Sequence, residues 1–123
     1  MTEATILILE DDLALIRLYG KVMRKAGYEV AEATNLQEAR EQLSKARFDV
    51  FICDMRLGAE RGIDLLVEQK AFLQEKRTQV VVVSAEEQYR DLCRQMGIDL
   101  FFSKPVSPSE LTRMVERLLS STT

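Results

Sequence analysis

Four apolar runs in this chain end on groups that can do chemistry. Leu9 is followed by Glu10, Asp11 and Asp12, and Cys53 by Asp54. The run beginning at Gln79 ends on Ser84, and Phe101-Phe102 lead into Ser103 and Lys104. The chemistry on offer is therefore carboxylates, a hydroxyl and an ammonium. There is no histidine, which excludes Ser-His-Asp and Cys-His catalysis and the usual zinc sites. Three carboxylates held close together repel, and one would keep its proton unless a cation removed the conflict. An all-oxygen donor set favours a hard ion, Mg²⁺, which keeps waters and can also accept phosphate oxygens. With Lys104 as a mobile point charge and Ser84 as a donor, these groups could cradle a phosphoryl group, with Asp54 as nucleophile.

The elements that must position them are legible as alternating patterns. The runs Ala4–Leu9, Tyr28–Ala33, Asp49–Cys53, Gln79–Ser84 and Asp99–Phe102 are short and β-branched or aromatic. Several are apolar at nearly every position, as in parallel strands buried on both faces. Between them lie helical stripes: Leu36, Ala39, Leu43 and Ala46; Tyr89, Leu92, Cys93 and Met96; Leu111, Met114, Val115, Leu118 and Leu119. Leu13–Ala26 and Ile63–Glu75 are helix-compatible with less regular stripes. Gly27 and Gly97 follow helical segments where a left-handed residue is wanted. Asn35 with Glu38, and Ser107-Pro108-Ser109-Glu110, read as helix starts, and Asp12 is placed to cap the first helix. Ser84 with Glu87 also reads as a cap for the fourth helix.

Five strands alternating with five helices predict an α/β fold: a single doubly wound, five-stranded parallel sheet, (βα)5 and flavodoxin-like, in strand order 2-1-3-4-5. The carboxyl ends of its strands share one edge, where open α/β sheets place ligands. In that order the first and third strands are neighbours, so Glu10, Asp11 and Asp54 would cluster.

The 123 residues suit one domain, residues 1–123, with 120–123 a frayed tail. Net charge is −3 with both signs interspersed, which argues against a nucleic-acid surface. Cys53 and Cys93 sit on apolar faces and read as buried free thiols in a reducing compartment. No apolar run approaches the ~18–20 residues of a membrane span, and no signal peptide opens the chain, so a cytoplasmic location is expected.

The stretches "LILEDD", "DVFICDMRLGAERG", "VVVVSAEE" and "LFFSKPV", in this order and each at a strand end, resemble the receiver domain of bacterial two-component response regulators. The resemblance runs from Thr5 to about Leu119. It implies that Glu10 and Asp11 are the acidic pair, with Asp11 the direct metal ligand and Glu10 acting through water. It implies that Asp54 is the phosphorylated aspartate and that the Arg56 backbone carbonyl is a metal ligand. Ser84 would be the hydroxyl that bonds the phosphoryl group, Phe101 the aromatic switch, and Lys104 the site lysine. The Lys104-Pro105 bond is typically cis in the family. Gly58 stands where the family often has proline, and Phe101 where tyrosine is commoner.

The implied activity is Mg²⁺-dependent acceptance of a phosphoryl group from the phosphohistidine of a sensor histidine kinase or histidine phosphotransfer protein. The module would assist its own phosphorylation and dephosphorylation without being an enzyme in the ordinary sense. Ser84 and Phe101 would then reshape the face of the fourth helix, fifth strand and fifth helix, which a homodimer or an output domain could engage. Arg56 and Glu86 each lie two residues past a reacting residue and could pair across the pocket mouth to limit water.

Three other readings compete. A pseudo-receiver would lack the lysine or an acid. An aspartyl-phosphate hydrolase would carry an acid where Arg56 stands. An FMN protein would want a hydroxyl- and glycine-rich loop where Glu10-Asp11-Asp12 stand.

Overall fold

Runs that are apolar at every position need cover on both sides, and the chain supplies it by alternation. The computed structural model describes residues 3–98 and 100–120. Its elements are β1 (Thr5–Leu9), α1 (Leu13–Lys25), β2 (Glu29–Ala33), α2 (Leu36–Lys45), β3 (Val50–Asp54), β4 (Arg56–Leu57), β5 (Glu60–Arg61), α3 (Gly62–Glu75), β6 (Gln79–Ser84), α4 (Tyr89–Gln95), β7 (Phe101–Ser103) and α5 (Pro108–Ser120). The main sheet has the order β2-β1-β3-β6-β7, with every pairing parallel. Counting only its own strands, that is the expected 2-1-3-4-5.

Strand alternation divides the core into two layers. Ile6, Ile8, Val50, Ile52, Val81 and Val83 face one way, under Ile16, Tyr19 and Met23 of α1 and Leu111 and Val115 of α5. Leu7, Leu9, Phe51, Cys53, Val82 and Phe101 face the other, under residues of α2, α3 and α4. The two thiols are free and buried, as expected.

Most helix ends follow their local chemistry. The Asp12 carboxylate accepts from the Leu15 amide at 3.1 Å, Asn35 from Glu38 at 2.8 Å, and Ser107 from Glu110 at 3.1 Å. Glu38 reaches back to Thr34 rather than to Asn35, one residue short of a reciprocal box. Gly27 and Gly97 take φ of +102° and +82° just past α1 and α4, as anticipated. The end of α3 at Glu75 is as expected, but the left-handed residue beyond it was not anticipated. There Arg77 adopts φ of +57°, with Thr78 N–H donating to Leu73 O at 2.9 Å.

Other departures are local. β4 and β5 form a small antiparallel hairpin directly after Asp54, turning through Gly58 at φ +63°. The last strand covers Phe101–Ser103 rather than Asp99–Phe102, and Asp99 lies outside the described residues, as do 121–123 of the expected tail. Leu92 is 40% exposed despite its place in a stripe, because the short α4 presents mainly Cys93 to the core. Ser84 does not cap α4: it is the last residue of β6, and α4 starts five residues later.

Candidate functional site

The register carries the acids to one rim. Leu9 pairs with Cys53 across β1 and β3, so the residues that follow, Glu10 and Asp54, emerge side by side. Asp54 in turn pairs with Val83, which places Ser84 one step further along the rim, and Ser84 pairs with Ser103, the neighbour of Lys104. Glu10 and Asp54 are only 3% and 5% exposed. One ligand atom each from Glu10, Asp11 and Asp54 lies within 4.8 Å of the others. Lys104 Nζ bridges the two buried acids, 2.6 Å from Glu10 Oε1 and 3.0 Å from Asp54 Oδ2. Its ammonium balances one negative charge among three carboxylates.

This imbalance shows in the acid–base properties. Burial pushes the Glu10 carboxyl up from 4.5 to about 7, Asp54 adds to the rise, and Lys104 and the Asp12 amide pull against it. Burial opposes the Lys104 charge, but its bonds to Glu10 and Asp54 outweigh that and hold it above its usual value. A hard cation is therefore a natural occupant. The donors are all oxygen, they converge, and the charge left after Lys104 is negative.

These groups open into a cleft of about 630 Å³ lined by Glu10, Asp11, Asp12, Leu15, Asp54, Arg56, Gly58, Ala85, Glu86 and Lys104. Arg56 and Glu86 form an ion pair between the hairpin and the loop after β6. The Arg56 amide leans toward Asp54 Oδ1 at 3.4 Å. Ser84 is buried beside the cleft, and its hydroxyl accepts from the Glu86 amide at 3.0 Å. Phe101 is 6% exposed and lies under the Arg90 guanidinium, 4.6 Å from the ring centroid.

Thus Glu10, Asp11, Asp54 and Lys104 come together at the rim, Arg56 and Glu86 meet at the mouth, and Ser84 and Phe101 lie buried on the neighbouring strands β6 and β7. Sequence reading missed what surrounds Phe101. Glu87 holds Arg90 at 2.9 Å and also accepts from the Ser103 hydroxyl. The three-residue spacing of Glu87 and Arg90 was a usable signal for the first contact. The contact with Ser103 exists only through the fold.

The family model for the response regulator receiver domain matches residues 6–116. This chain belongs to that family. It is a receiver domain of two-component response regulators, a signalling module. The alginate biosynthesis regulatory protein AlgB of Pseudomonas aeruginosa is 30% identical over 89% of the chain. The chain spans only 24% of AlgB. Sporulation initiation phosphotransferase F of Bacillus subtilis is 26% identical, with 97% of this receiver and 96% of the relative covered. Among solved structures, a CheY-like receiver from Methanospirillum hungatei superposes with a TM-score of 0.86 at 24% identity, covering 98% of this chain and 96% of that one. Among the described residues, no helix is long and apolar enough to cross a membrane.

Proposed function

We propose that this receiver, a single domain over 1–123, accepts a phosphoryl group on Asp54 from a phosphohistidine of a sensor histidine kinase or histidine phosphotransfer protein. The observation that carries the reading is the Lys104 bridge. One ammonium is bonded to the nucleophilic carboxylate and to its acidic neighbour at a common rim. Asp54 attacks phosphorus, the nitrogen–phosphorus bond breaks, and the imidazole leaves to its own protein, so no base is needed here. That agrees with a chain containing no histidine.

Mg²⁺, held by Glu10, Asp11, Asp54 and the Arg56 carbonyl, would supply charge neutralisation for the phosphoryl oxygens. Lys104 transfers its attention from the Asp54 carboxylate to the incoming oxygens. Ser84 exchanges the Glu86 amide for the phosphoryl group, and Phe101 repacks behind it. The surface of α4, β7 and α5 changes as a two-state element, for a dimer partner or an output domain to read. Hydrolysis of the acyl phosphate by water resets the site, and the Arg56–Glu86 pair across the mouth slows that water. The location is cytoplasmic, with the kinase.

The test is phosphate-affinity electrophoresis after treatment with acetyl phosphate and Mg²⁺. A retarded band is expected for the native chain and none for Asp54→Asn. No band, or an equal band in both, would sink the assignment. Arg56→Ala should hasten phosphate release from the phosphorylated protein; an unchanged release rate removes the gating role of the pair.

A further inference from the structure

We infer that Gly62, the first residue of α3, is a positioning residue that sets where Asp54 sits. The inference rests on the reading of Asp54 as phosphoacceptor given above. Gly62 is not among the glycines with positive φ, so backbone freedom does not explain it. Space does. A Cβ built on Gly62 would lie 2.0 Å from the Asp54 carbonyl oxygen, 3.0 Å from the Asp54 carbonyl carbon and 3.0 Å from Cys53 Sγ. The first is closer than atoms tolerate and the other two are tighter than nearly all real contacts, and the nearest atom belongs to backbone, which cannot swing aside as the tip of a long side chain can.

The hydrogen that stands in place of that Cβ points at the Asp54 carbonyl oxygen. The approach is locked from both sides. The Gly62 amide donates to Met55 O at 2.8 Å, closing the hairpin on itself. Below, the Cys53 thiol lies 3.5 Å from Asp54 O and 4.0 Å from Gly62 O. The β4–β5 hairpin therefore does more than connect β3 to α3: it returns the chain so that the start of the helix abuts the backbone of the reacting residue. Any side chain at position 62 must push Asp54, α3 or both by roughly an ångström, a displacement that in active sites costs about a hundredfold in rate.

Gly62→Ala tests this against Gly97→Ala. Gly97 is remote from the acids, and an added Cβ there meets nothing within 4 Å, but its φ of +82° makes alanine strained. The second variant therefore loses stability without touching the site. Two readouts are taken: the rate of Asp54 labelling by acetyl phosphate at saturating Mg²⁺, and the carbonyl and carboxyl carbon resonances of Asp54 in protein labelled with ¹³C-aspartate, assigned by their loss in Asp54→Asn.

Gly62→Ala is expected to slow labelling roughly 10- to 100-fold and to shift the Asp54 resonances, while Gly97→Ala leaves both as in the native chain. Labelling and resonances that match those of Gly97→Ala would overturn the inference. If the native protein itself takes no label, the phosphoacceptor reading falls, and the resonances alone still decide whether Gly62 places Asp54. Should Gly62→Ala fail to fold, Cys53→Ala removes the sulfur wedged against the same carbonyl without adding an atom. A shift of the Asp54 carbonyl resonance is then expected, and an unmoved resonance would overturn the inference.

Discussion

Glu10→Gln should make the metal-free protein more stable at alkaline pH and leave it unchanged in acid. Glu10 is 3% exposed beside Asp54, and its carboxyl is raised from 4.5 to about 7. Between those values the native state holds a proton that the unfolded chain has released, so stability falls as pH rises through the interval. At ~1.4 kcal/mol for each pH unit, the ionised Glu10 costs the fold about 3 kcal/mol above pH 7. The amide carries no charge and can still accept from Lys104, which keeps Asp54 as its ionic partner. The expected gain is about 2–3 kcal/mol at pH 8, or on the order of 10 °C in Tm, falling to nearly nothing at pH 5. Urea unfolding in EDTA, followed by far-ultraviolet circular dichroism because the chain has no tryptophan, measures both arms. A gain of equal size at both pH values, or a loss at pH 8, refutes the account of burial and repulsion. Adding Mg²⁺ at pH 8 should raise the native protein's midpoint more than the variant's, since only the native chain offers all three carboxylates to the ion.

Three further outcomes follow from other parts of the fold. Asp49 is held below its usual value: burial works against it, but the Thr5 amide at 2.8 Å and the Arg47 guanidinium at 2.6 Å outweigh that. Its contribution is present above about pH 4 and lost as pH falls through the lowered value, so Asp49→Asn should flatten the acid limb of the urea-midpoint profile between pH 5 and 3. Arg77→Gly should raise stability by up to about 1 kcal/mol, relief of left-handed strain exceeding the added chain entropy; a lower urea midpoint would show that the Arg77 conformation carries no strain. Arg90→Ala removes the guanidinium above Phe101 and the partner of Glu87. With fluorophenylalanine incorporated, the Phe101 resonance should move toward the exposed range, and an unshifted signal would mean the ring is held by the core alone.

Much of this receiver is written in local pattern. Runs such as Val50–Cys53 are apolar on both faces, so they had to lie in a covered parallel sheet. A five-fold alternation with helices leaves few orders for that sheet, and parallel strands bring Glu10, Asp54, Ser84 and Lys104 to one edge whatever their separation in the chain. Caps at Asp12, Asn35 and Ser107 were legible because their partners lie three residues away. The features that only tertiary structure decided involve partners far apart in sequence or a balance between close states. The hairpin after Asp54 has arms of two residues, too short for any period to register, and it returns the chain so that Gly62 lies against the Asp54 backbone. Arg77 takes a left-handed conformation that its side chain disfavours, because the end of α3 must turn back onto the sheet. The Ser84 hydroxyl read equally as a cap for the fourth helix, and the loop after β6 decided against that by placing the Glu86 amide on its oxygen, ahead of the start of α4. Local periodicity determines which residues face inward and which rim they reach. Distances of an ångström, and the charge balance they set among Glu10, Asp54 and Lys104, arise only when residues 50 and 94 positions apart in sequence are brought together at one edge of the sheet.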